Sequence, residues 1–101
     1  MAVYVDKARH PYRGMIMCHM LADTLDELHA MADQIGIDRR HFQILSTPHY
    51  DVCQAKRRLA VQAGAVEIER REVAALIKRW RSAILTDPTV RDALRASLVS
   101  R

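Results

Sequence analysis

At 101 residues, with 16 Lys/Arg against 12 Asp/Glu and a formal net charge of +4, the chain can build one domain with a real core but is too short for two. Half of it is apolar and 28% is charged, a balance that suits a folded soluble protein and excludes a disordered one. No apolar run approaches the roughly 20 residues that span a bilayer. The N-terminus lacks a secretory pattern, and two cysteines fit free thiols in a reducing compartment; a cytoplasmic protein with no membrane partner is expected.

Ala2 to Asp6 reads as a first strand, β-branched and aromatic, and Lys7 to Gly14 as a loop punctuated by Pro11 and Gly14. Met15 to Ala22 holds seven apolar residues in eight, interrupted only by His19, a length that suits a buried strand. Alternation puts Met15, Met17, His19 and Leu21 on one face of it. Thr24 and Glu27 have capping-box spacing, Leu25, Leu28, Met31, Ala32 and Ile35 recur at helical spacing, and Gly36 suits a left-handed stop. His29, two residues from Glu27, is expected to face solvent or the rim.

Phe42 to Leu45 is a further short strand, and Ser46-Thr-Pro48 breaks the chain. His49-Tyr50-Asp51 then reads as a turn into a second helix, with Asp51 as N-cap and Gln54 as its reciprocal partner. Ala65 to Ile68 is a short strand; Val73, Leu76, Ile77, Trp80 and Ile84 stripe a third helix. Asp87 and Pro88 suit the N-cap and first turn of a last helix packed through Val90, Ala93, Leu94 and Leu98. Strands alternating with helices predict a single α/β domain over 1–101: a three- to four-stranded, largely parallel sheet packed with helices, plus a C-terminal helix.

Several pieces together resemble the small bacterial and phage proteins of the family known as domain of unknown function 4031. They are Met1-Ala-Val-Tyr-Val-Asp6, Met17-Cys-His-Met-Leu-Ala-Asp-Thr24, Glu27-Leu-His-Ala-Met-Ala-Asp33, Arg39-Arg40 with Phe42-Gln43, His49-Tyr-Asp-Val52, and Lys56-Arg57 with Leu59-Ala-Val61 and Gly64-Ala-Val-Glu67. The resemblance covers roughly residues 1 to 77. It implies a phage or prophage setting and brings no established activity, so no catalytic role is carried over. A core over 1–85 is family-like, and 86–101 is a C-terminal helical extension.

If the middle strands are parallel, the turns at their carboxyl ends form the edge where open α/β sheets bind ligands. The candidate ligand site is Asp6, His19, Asp23, His49, Tyr50 and Asp51. Of these, His19, Asp23, His49 and Asp51 offer nitrogen and oxygen donors for a divalent ion such as Zn, Mn or Ni, or a general acid–base cluster. The plainer alternative makes Asp23 and Asp51 helix caps and His19 a hydrogen-bonded core residue. No H-E-x-x-H or paired C-x-x-C spacing decides between them.

The charge is uneven: residues 1–54 hold 5 Lys/Arg against 7 Asp/Glu, residues 55–101 hold 11 against 5. The basic residues within 56–81 suit an acidic partner or nucleic acid, or simply solvate outer helix faces. Interleaved acids and scarce aromatics favour solvation. Two classes of function follow. One is a metal-dependent or acid–base enzyme, hydrolase-like or nucleotide-related; the other is a non-catalytic module binding a partner through the basic half.

Overall fold

The long strand β3 (Met15–Ala22) is the member on which the sheet hangs, in a computed structural model that describes residues 2–44 and 47–99. Before it come β1 (Val3–Val5) and β2 (His10–Tyr12); after it come α1 (Leu25–Ile35), a 3-10 turn at Arg39–His41 and β4 (Phe42–Gln43). Then follow β5 (His49–Cys53), α2 (Gln54–Gln62), β6 (Val66–Glu67), α3 (Arg70–Thr86) and α4 (Pro88–Val99). Leu45 and Ser46, on which part of the expected strand and break fell, lie outside the described residues, as do Met1, Ser100 and Arg101.

The sheet has six strands in the order β4-β5-β3-β1-β6, with β2 also paired to β3. It is α/β, but the expectation of three or four largely parallel strands is corrected. Only β1 and β6 pair in parallel, whereas β3 pairs antiparallel with β1, β2 and β5, and β4 pairs antiparallel with β5. The loop expected over Lys7 to Gly14 contains β2. Arg13 and Gly14 both have positive φ, at 49° and 78°, which is the signature of a two-residue type I′ hairpin turn.

Register separates two faces, because residues directly opposite one another project to the same side. On one side Val5 faces Met20, Cys18 faces Val52 and Phe42 faces Tyr50. These residues form the main core with Leu28, Met31, Ala32 and Ile35 of α1 and Ala60 of α2. Trp80 and Leu94 bring α3 and α4 into the same cluster, and Trp80 Nε1 donates to the Ala22 carbonyl at 2.9 Å. On the other side Met17 faces His10 and Cys53, His19 faces Asp51, and Gln43 faces His49. That side is covered only in part, where Leu21 and Ile68 meet Leu76 and Val73 of α3.

Local signals fix most helix ends. Thr24 Oγ1 accepts from the Glu27 N–H at 3.2 Å and donates to the Glu27 carboxylate at 2.8 Å, and Gly36 ends α1 in the left-handed region. Asp87 caps α4 through the Thr89 N–H at 3.0 Å. Asp51, in contrast, caps nothing. It lies inside β5, and α2 starts after Cys53, which makes no side-chain cap bond. Tyr50 and Val52 alternate into the core, so tertiary burial overrides the turn-like polarity of His49-Tyr50-Asp51. Among the described residues no helix is long and apolar enough to cross a membrane.

Candidate functional site

The half-covered face of the sheet gathers three imidazoles and two carboxylates from β2, β3, β5 and the end of β1. The pairing itself builds this cluster. His19 in the middle of β3 stands opposite Asp51 in the middle of β5, two residues from His49, and His10 enters from β2 on the other flank. The His19 ring lies 5.1 Å from that of His10 and 5.6 Å from that of His49, centroid to centroid.

Each central imidazole is held by its Nδ1. His19 Nδ1–H donates to Asp6 Oδ2 at 2.6 Å, while the His19 backbone N–H donates to Asp6 Oδ1 at 2.9 Å. His49 Nδ1–H donates to the Thr47 carbonyl at 2.8 Å. A neutral imidazole that donates through Nδ1 presents a lone pair at Nε2. Asp51 Oδ1 lies 3.8 Å from His19 Nε2 and 3.5 Å from His49 Nε2.

Asp51 Oδ2 accepts from the Gln43 amide at 3.0 Å, but Asp51 Oδ1 is buried with no hydrogen-bond partner among the described residues. His10 Nε2 and Thr47 Oγ1 are in the same condition. His10, His19 and Asp51 each offer a ligand atom within 4.8 Å of the other two.

Electrostatics follow from these bonds. Burial pushes the Asp6 carboxyl upward, but the His19 ring and backbone N–H outweigh it and hold Asp6 below its ordinary range. The same bond to Asp6 raises His19 against the opposing effect of burial. Burial pushes the Cys18 thiol up to about 11, which leaves it protonated and a poor nucleophile at neutral pH.

Two of the six residues expected at the site lie elsewhere. Asp23 sits beyond the end of β3, where its carboxylate pairs with Arg79 and accepts from Tyr4 Oη at 3.0 Å and the Ala2 N–H at 2.7 Å. Antiparallel pairing of β3 with β5 is the reason: it aligns strand middles, not the carboxyl ends that a parallel sheet would have brought together. Tyr50 projects from the opposite face, fully buried, with its hydroxyl 2.8 Å from His29 Nδ1. Asp6, His19, His49 and Asp51 do come together. His10, Gln43 and Thr47 were absent from the expected set; recognising Arg13-Gly14 as a hairpin turn would have put His10 opposite Met17.

The basic residues within 56–81 divide. Lys56 donates to the Ile35 carbonyl, Arg57 to the Asp6 carbonyl and Glu67, and Arg79 to Asp23. Arg58, Arg70, Arg71 and Lys78 are exposed.

Comparison with curated proteins and with solved structures found no match. A family match covers residues 3–80, which include every residue of the cluster and stop short of α4. The chain belongs to the family described as protein of unknown function (DUF4031).

Proposed function

We propose that the chain is a metal-dependent enzyme of hydrolytic type, its centre formed by His10, His19 and Asp51, whose ligand atoms lie within 4.8 Å of one another, with His49 beside Asp51 as a fourth donor. The observation that carries this reading is Asp51 Oδ1, a buried carboxylate oxygen with no hydrogen-bond partner among the described residues, with His19 Nε2 at 3.8 Å and His49 Nε2 at 3.5 Å. A cation among these donors would supply the partner that the buried Asp51 oxygen lacks. Donors about 2.1 Å from a tetrahedral zinc stand roughly 3.4 Å apart, close to the 3.5 and 3.8 Å found here. The Asp6–His19 bond has the form of the carboxylate support that metal-bound histidines use. Imidazole with carboxylate suits Zn, Mn or Ni.

A divalent ion held there brings the pKa of a bound water near neutrality. Held by these residues, the ion would supply a hydroxide nucleophile for an electrophilic carbon or phosphorus, whose bond to a leaving oxygen or nitrogen would break as the proton from water passed to the leaving group. A reducing, cytoplasmic setting belongs to the proposal, since Cys18 and Cys53 are free thiols.

Metal analysis of the purified protein and calorimetric titration of chelator-treated protein with Zn²⁺ test the reading. His49→Ala and Asp51→Asn are expected to weaken binding at least about tenfold, with the far-ultraviolet circular dichroism unchanged. Absence of binding by the wild type, or binding that neither substitution alters, removes it.

A further inference from the structure

The cluster stands between two concavities that share Gln43 and Asp51 as a common wall. One is a cleft of about 440 Å³ reached past His10, Tyr12, Arg40 and His41. The other is a recess of about 300 Å³ walled by Leu21, Val73 and Ile77, with Thr47 on its lining. Their chemistry differs. The cleft carries Arg40, whose guanidinium makes no hydrogen bond or ion pair among the described residues. Arg40 is exposed, as are Arg58, Arg70 and Arg71, and what sets it apart is its place on the wall of this cleft. The recess sets the apolar side chains of Leu21, Val73 and Ile77 against polar residues of the cluster, Thr47 among them. There Thr47, 4% exposed, has a hydroxyl with no partner. A buried hydroxyl left unpaired costs stability unless a ligand supplies the bond.

We infer that the centre takes a compact organic oxyanion, its charged group against Arg40 in the cleft and its apolar remainder in the recess beside the Thr47 hydroxyl. This deepens the metal-centre reading and rests on it. A guanidinium fork matches the paired oxygens of a phosphate or a carboxylate, which makes Arg40 the natural anchor. Each concavity lies at the small end of ligand-pocket volumes, so a small molecule fits better than a polymer.

Inorganic phosphate, phenyl phosphate, benzoate and benzyl alcohol, each titrated into zinc-loaded protein, test the inference. Phenyl phosphate or benzoate is expected to bind more tightly than both inorganic phosphate and benzyl alcohol; whichever of the two is tighter identifies the oxyanion. Arg40→Ala is expected to weaken the anions by roughly tenfold or more and to leave zinc affinity unchanged. Ile77→Trp, which fills the recess, is expected to remove the advantage of the ring, and zinc uptake by this variant reports that it is folded. Anion affinity unchanged in Arg40→Ala, or an aryl anion no tighter than inorganic phosphate, overturns the inference and leaves the metal centre standing. Failure of the wild type to take up zinc removes both.

Discussion

Asp6 contributes to the site without being a donor in it. Its carboxylate receives the His19 ring, the His19 backbone N–H and the Ala8 N–H, so it fixes both the rotamer and the tautomer of His19. Asp6→Asn keeps the shape but loses the charge that orients the ring. Zinc affinity measured by competition with a chelator is expected to fall by roughly 10- to 100-fold, the usual effect of removing such support. His29 is the second residue with a consequence. It is 5% exposed, with Nδ1 2.8 Å from Tyr50 Oη and Nε2 2.9 Å from Ser97 Oγ. Burial lowers its pKa below the ordinary 6.5, and the Arg39 cation adds to this against Asp33 and Asp26. The unfolded chain therefore takes up this proton at a higher pH than the folded one. The His29 contribution is fully present above about 6.5 and is lost as pH falls through the lower folded value. Urea melts from pH 7.5 down to 5 should show this loss in the wild type and a shallower slope in His29→Gln. His29 was unreadable from its own helix, because the element that buries it begins about sixty residues later.

At the scale of elements, signals held within a few residues were legible and signals that depend on pairing were not. Thr24 with Glu27 marks the start of α1 in both sequence and structure. Thr24→Ala should lower stability by about 1 kcal/mol in a denaturant melt, the usual loss of an N-cap; an unchanged midpoint would contradict that role. β3 was legible from its apolar run. β2 was hidden because Arg, unlike Asn or Asp, is an uncommon residue at a positive-φ turn position. β5 was hidden because His49 and Asp51, which alternate away from the core, are polar. Sheet direction was misread for a topological reason. Since β4 runs antiparallel to β5, and β5 to β3, the path from β3 through α1 to β4 does connect two strands of the same direction. Between them lies β5, which comes later in the chain. Proximity of His19, His49 and Asp51 was therefore anticipated on a mistaken geometry, while Asp23 was carried to the wrong neighbourhood.

Over the whole molecule, α4 lies outside the family match yet completes the core. Leu94 and Trp80 belong to the main cluster, with Val90 and Leu98 packed against it, and Ser97 reaches His29. A detachable tail would tolerate Leu94→Ala; a core element would not. The expected cost is about 3 kcal/mol by thermal or chemical unfolding, within the range for deleting a buried leucine side chain. This helix packs on the opposite face, while α3 reaches both faces and covers the His-rich one only in part, through Val73, Leu76 and Ile77.

The small size of the outer strands has a further consequence. The ends of the main strand path, β4 and β6, are two residues each, and the free flank of β2 is three residues with Pro11 at its centre. A strand edge recruits other chains when it offers a run of unpaired N–H and C=O groups, and Pro11 has no N–H to offer. The sheet thus stops growing at every margin by brevity or by proline. A protein whose interior strands are rich in methionine and valine can leave one sheet face partly covered without offering neighbouring copies a template for aggregation.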